Sequence, residues 1–186
     1  MPTGAGTSCG PSPPPVPVAG GWSIEFDASV YGGGAVLRSP EKEVIEYFAL
    51  VWFGDEAEHL GVTVGDTRFQ TFWEYATLLL ALVTWGDWFV VHTVLIAGDN
   101  TGALDNALSL KGKGILQAIS REVSWRQARR SWKFVVGHLP SEHNLVADAL
   151  SRTTDPKGCE WPALALSSAK PGNPRRLKDF WLARPL

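Results

Sequence analysis

Five residues of this 186-residue chain could share acid, metal or proton-transfer chemistry: Asp27, Glu74, Asp99, His138 and Asp148. His138 and Asp148 stand ten positions apart in GHLPSEHNLVADALSR, Gly137–Arg152. Asp27 follows the apolar run from Trp22 to Phe26, and Asp99 follows another from Thr93 to Ala97. Glu74 lies inside a helix-like stretch, Phe69–Trp85. By itself an acid such as Asp148, in the first turn of a helix, is more often a dipole or capping residue. Acids delivered together from strand ends and helices are another matter. Converging carboxylates repel one another unless a cation holds them, and a hard oxygen-ligand set favours Mg²⁺ or Mn²⁺.

The elements that must position these residues read as a mixed α/β domain. Trp22–Phe26, Gly34–Arg38 and Val44–Trp52 form an antiparallel meander, with Gly32, Gly33 and Gly34 as a turn and a loop over 53–68. A buried helix to Trp85 follows, then a turn at Gly86 and Asp87 and a central strand, Phe89–Ala97. Asp87 and His92 break this apolar stretch too early for a membrane span, which needs about 20 uninterrupted residues. Thr101–Leu110 and Ile115–Arg130 read as helices and Trp132–Gly137 as a strand. Asn144 is the expected N-cap of a last helix whose apolar side is Leu145, Val146, Ala149 and Leu150. A meander followed by two helix-linked strands gives a five-stranded mixed sheet of order 3-2-1-4-5, with only the second strand antiparallel to the others.

Residues 1–20 hold six prolines, four glycines and no charge, so they read as a linker before a domain over 21–154; 155–186 reads as a Pro-containing tail. The net charge of −2 announces no global affinity for nucleic acid, but its distribution is uneven. Glu41–Glu74 carries eight acids against two bases, and Lys111–Lys133 seven bases against one acid. That asymmetry fits a metal-binding side and a phosphate-binding side, and fits two solvated faces as well. Arg121, Trp125, Arg126, Arg129 and Arg130 interleave bases with an aromatic, as a backbone-contacting surface needs. Cys9 and Cys159 form no metal or disulfide framework, which suits a reducing, intracellular compartment.

FDAS (Phe26–Ser29) with GGGAVL (Gly32–Leu37), FWEYATLLLAL (Phe72–Leu82), GDNTGAL (Gly98–Leu104) and GHLPSEHNLVADALSR occur in the order of a type 1 ribonuclease H domain. The chain resembles that family over roughly residues 20–154. The last motif is most similar to the ribonuclease H domains fused to retrotransposon reverse transcriptases, which implies a polymerase domain as neighbour in a larger polyprotein. The resemblance implies a ribonuclease H-like fold and Mg²⁺-dependent cleavage of the RNA strand of an RNA–DNA hybrid, with two ions per site and Mn²⁺ as a substitute.

Carried over residue by residue, the resemblance implies that Asp27 bridges two ions. Asp148 completes the site of the ion activating water, and Glu74 and Asp99 serve the leaving-group ion. His138 assists proton transfer or product departure. Hybrid contacts are expected from Gln70, Thr71, Asn100, Thr101 and Asn144, and phosphate contacts from Arg126, Arg129 and Arg130. The stretch Val30–Gly33 offers few side-chain partners for a 2′-hydroxyl. Two other classes stay open: another nuclease or strand-transfer enzyme of the same fold, and a non-catalytic tether within a reverse transcriptase.

Overall fold

The computed structural model describes residues 21–88 and 92–177. The linker reading of residues 1–20, the start of the expected strand at Phe89 and the residues after 177 lie outside them. β1 (Ser23–Ala28), β2 (Gly32–Arg38) and β3 (Val44–Val51) form the antiparallel meander. β4 (Val94–Gly98) runs parallel to β1, and β5 (Phe134–His138) parallel to β4. The sheet order is β5-β4-β1-β2-β3-β6. This is the expected 3-2-1-4-5 order, with β2 alone antiparallel to its neighbours, plus a sixth strand. That addition, β6 (Lys170–Pro171), pairs parallel with β3 at Glu46 and Tyr47. Two residues, one of them proline, carry no alternation that a sequence could show.

Alternation along the strands builds a core on each face. Ile24, Phe26, Ala35 and Leu37 face α2 (Gln70–Thr84), whose residues from Phe72 to Leu82 are all buried. An all-round apolar helix of this kind belongs in a protein interior. α3 (Thr101–Ser109) and α4 (Leu116–Arg130) cover its outer side through Ala103, Leu104, Ala107, Ile119 and Val123. On the opposite face Val36 and Val44 meet Leu150 of α5 (Leu145–Ser151) and Leu166. No helix among the described residues is long and apolar enough to cross a membrane.

Gly32–Gly34 belong to β2 and not to a turn. The reason is contact with α5: a Cβ on Gly34 would lie 2.5 Å from Leu150 Cβ and 2.6 Å from the Ser151 nitrogen. The expected loop over 53–68 contains a short helix, α1 (Gly54–His59). Its sequence, GDEAEH, has no apolar period. Its buried Glu56 is held from outside by Arg176, 3.0 Å away. The segment after α5 packs along the β3 edge, with the rings of Trp161 and Tyr47 5.9 Å apart and Leu177 buried in the main core.

Candidate active site

Asp27 is the fifth residue of β1, between Phe26 and Ala28, which both face α2. Alternation therefore turns its carboxylate toward α5. Parallel pairing brings Asp99 to the same end of the sheet, directly after β4. Glu74 arrives from the second turn of α2. One oxygen from each of Asp27, Glu74 and Asp99 lies within 4.8 Å of the others. Asp27 and Glu74 are 5 % and 2 % exposed, so two of the three acids are almost out of water.

Neighbouring side chains hold each carboxylate. The Ser151 hydroxyl lies 2.5 Å from Asp27 Oδ2 and donates to it. Gln70 donates its amide to Glu74 Oε1 at 3.0 Å and to the Ala28 carbonyl, tying α2 to the end of β1. Ser141, in the short 3₁₀ turn Ser141–His143, donates its hydroxyl to Asp99 Oδ2 at 2.6 Å. Asp148, in the first turn of α5, pairs with Arg152 at 2.7 Å. It stands outside the three-acid cluster, yet close enough for its charge to act on Asp27.

The electrostatics are those of converging carboxylates held out of water. Burial, chiefly, pushes the Asp27 carboxyl from its ordinary 3.8 up to about 7, and the charges of Asp148 and Asp99 add to the rise. The Ser151 hydrogen bond and the Arg152 charge pull the other way. Glu74 is raised well above its ordinary value, again first by burial and then by Asp27. Glu74 Oε2 is buried with no hydrogen-bond partner. Buried acids of this kind are costly unless paired or metal-bound. The donor set, all carboxylate oxygen, fits a hard divalent ion.

His138 ends β5 in register with Gly98, one residue before Asp99, and is exposed. Asn100 and Thr101 follow Asp99 directly, and Thr71 lies against Gly102, where an added Cβ would come within 3.1 Å of its Cγ2. Asn100 Oδ1 caps α3 by accepting from the Ala103 N–H at 3.0 Å, and Thr101 is exposed. Asn144 behaves differently from its expected capping role. It makes no side-chain cap; it is buried and donates its amide to the Phe26 carbonyl at 2.9 Å. Its place is beneath the site, fixing the loop before α5 to β1. Gln70 likewise spends its amide on Glu74 and the main chain.

Arg126, Arg129 and Arg130 are not brought to the carboxylates. They occupy the C-terminal half of α4, where Arg130 bonds Asp87 beyond the end of α2, while Glu74 sits near that helix's start. Sequence reasoning passed over Ser151, Ser141 and Arg152. The available signal was position: Ser151 follows Asp148 by three residues on one helix face, and Ser141 lies in the His138 loop.

No protein-family model matches the sequence, and no curated protein matches it. Solved structures do. Ribonuclease H1 from the halophilic archaeon Halobacterium salinarum NRC-1 superposes with a TM-score of 0.53 at 16 % identity, over 71 % of this chain and 95 % of that one. LC11-RNase H1, isolated from compost by a metagenomic approach and solved in complex with an RNA/DNA hybrid, gives 0.52 at 17 %, over 69 % and 91 %. The mixed sheet, its flanking helices and these likenesses together give the chain the ribonuclease H fold.

Proposed function

We propose that this chain is a divalent-metal-dependent endonuclease that hydrolyses the RNA strand of RNA–DNA hybrids. The observation carrying this reading is the convergence of Asp27, Glu74 and Asp99 within 4.8 Å at the end of the central strands. The fold is shared with ribonuclease H1, one example of which was solved with an RNA/DNA hybrid. Mg²⁺ is the proposed ion, with Mn²⁺ as substitute, and the proposed arrangement uses two. When bound, such ions activate the attacking water and stabilise charge on the leaving oxygen.

The chain's own residues supply the rest. Asp27 would ligate both ions, with Ser151 fixing the rotamer of its carboxylate. Glu74, oriented by Gln70, and Asp99, held by Ser141, would serve the leaving-group side. Asp148 would exchange its Arg152 pairing for the remaining ligand position. His138, exposed beside Asp99, would carry a proton to or from the departing group. Thr71, Asn100 and Thr101 are the proposed contacts to the hybrid. The expected products end in a 5′-phosphate and a 3′-hydroxyl.

The resemblance of Gly137–Arg152 to retrotransposon domains supports a further reading: a reverse-transcriptase polyprotein with a polymerase domain beside this one. The nuclease unit would then be residues 21–154 together with the following segment to Leu177, which adds β6, Arg176 and the buried Leu177 to it. The deciding experiment is Mg²⁺-dependent cleavage of matched RNA–DNA, RNA–RNA and DNA–DNA duplexes. Selective cutting of RNA in the hybrid supports the proposal; equal cutting of all three, or of none, overturns it.

A further inference from the structure

The outward side of α4 carries two grooves that share one aromatic residue. The first, about 500 Å³, includes Lys111, Gln117, Arg121 and Trp125. The second, about 410 Å³, is lined by Trp125, Arg126, Arg129, Arg130 and Arg175. They meet at the Trp125 ring. From Gln117 to Arg130 the helix advances roughly 20 Å, at about 1.5 Å per residue. Three of the groove's four arginines come from the last two turns of α4, where Arg129 and Arg130 also suit the helix C-terminus. Arg175 comes from a different part of the chain altogether, after β6.

Among the described residues Glu122 pairs with Arg126 at 2.7 Å and Asp87 with Arg130 at 2.6 Å. The Asp87 side chain is 91 % exposed, and so solvated a pair is weak and yields readily to a stronger anion. The Arg129 and Arg126 guanidiniums lie 4.8 and 5.8 Å from the Trp125 ring centre, and the residue is 40 % exposed. Guanidiniums tracking a backbone, with an aromatic face between them, are the features that hold unpaired nucleic acid. An acidic peptide would satisfy the arginines but gives Trp125 nothing flat to stack on.

This surface is separate from the carboxylates. Arg130 is tied to Asp87 beyond the C-terminal end of α2, whereas Glu74 lies in its second turn. Ten residues of helix between Glu74 and Thr84 amount to roughly 15 Å.

We propose that the outward face of α4 binds a single-stranded nucleic-acid segment, with Arg129, Arg130 and Arg175 on phosphates and Trp125 stacking a base. The inference goes beyond hybrid cleavage and does not depend on it, since none of the carboxylates takes part.

The test is fluorescence anisotropy of a labelled single-stranded DNA of about 12 nucleotides, within the usual site size. The full chain is used without divalent metal, and thermal melting checks each variant's fold. Trp125→Ala should weaken binding about tenfold or more, as loss of one stacked base does. Arg129→Ala with Arg175→Ala should lower the slope of log affinity against log salt by about 1.4, for two phosphates on a single strand. Arg129→Lys should keep most of that slope. Where the double variant melts early, Arg129→Glu replaces it and should weaken binding more than Arg129→Ala.

Parent-like affinity in either the Trp125 or the arginine variants overturns the proposal. Displacement by poly-glutamate as effective as by unlabelled oligonucleotide also overturns it, and assigns the face to an acidic protein partner. Failure of the parent to cut hybrids would bring down the hydrolase reading while leaving single-strand binding intact, so the two failures are told apart.

Discussion

Ser151 donates its hydroxyl to Asp27 Oδ2 across 2.5 Å, joining the last helix to the central strand through the buried acid of the site. The bond favours the ionised carboxylate, against the larger effect of burial. Ser151→Ala should therefore raise the Asp27 pKa further and move the acid limb of hybrid cleavage to higher pH. Ser151 is fully buried, and the loss of its hydrogen bond should cost about 1 kcal/mol of stability. A pH–rate profile alongside thermal melts checks both. An unmoved acid limb would mean that Ser151 serves packing alone.

Metal-free stability should depend on pH with a defined sign. Asp27 titrates near 3.8 when unfolded and at about 7 in the fold, so between these values the folded chain keeps a proton that the unfolded chain has lost. Its contribution is fully present below about 3.8 and is lost as pH rises through about 7. Glu74 acts in the same direction. Asp27→Asn cannot ionise, so its stability should gain on the parent's as pH rises from about 3.8 to about 7, on the scale of a few kcal/mol for a shift of this size. Adding Mg²⁺ should narrow the gap by stabilising the parent. A gap that stays constant with pH rules this account out.

The same Asp27→Asn variant should lose nearly all cleavage while folding at least as well as the parent. Removing one of several clustered buried acids relieves repulsion rather than creating an unpaired charge. Single-turnover cleavage and melting curves on one preparation test it, and full activity would dismiss Asp27 as a ligand.

His138→Ala should behave unlike the acid variants. The residue is exposed and ends a strand, so stability should change by less than about 0.5 kcal/mol. Cleavage should slow by about 10²–10⁴-fold and remain metal-dependent. Complete loss would place His138 among the ligands instead.

Gly34→Ala probes how closely α5 lies on the sheet. The new Cβ would meet Leu150 Cβ at 2.5 Å, the Ser151 nitrogen at 2.6 Å and the Ala147 carbonyl oxygen at 2.7 Å. Two of those are backbone atoms, so the helix must lift. A cost of about 1–3 kcal/mol is expected. Cleavage should also fall, because lifting α5 draws Ser151 and Asp148 away from Asp27. Parent-like stability and activity would show that the helix yields freely.

Much of this was legible in the sequence because the strands that matter are short apolar runs. β1, β4 and β5 each read as short hydrophobic runs, and parallel pairing then carries Asp27 and Asp99 to one end. α2 showed itself by its long apolar run, interrupted only by Glu74 and Thr77 between Phe72 and Val83. What escaped notice depended on tertiary partners. α1 and β6 have no period of their own and are held by Arg176 and by β3. Gly32–Gly34 looked like a turn because glycine signals turns, but here the missing side chains of Gly32 and Gly34 make room for α5 and that of Gly33 for Thr77 of α2. Asn144 had the chemistry of a cap, and its amide went instead to a carbonyl of β1, 118 residues away in the chain. The arginines of α4 were visible as charge, but only the helix's direction showed that they sit away from the acids.

β6 bears on how the molecule meets its own copies. β3 would otherwise border the sheet with eight residues of backbone, the sort of open margin that invites pairing between chains and aggregation. Lys170 and Pro171 take the positions beside Glu46 and Tyr47. Proline has no N–H to offer a further strand, and lysine disfavours docking there by its charge. The segment after α5 thus acts as a terminator: it ends the hydrogen-bonded ladder in residues that cannot readily pass it on to another molecule.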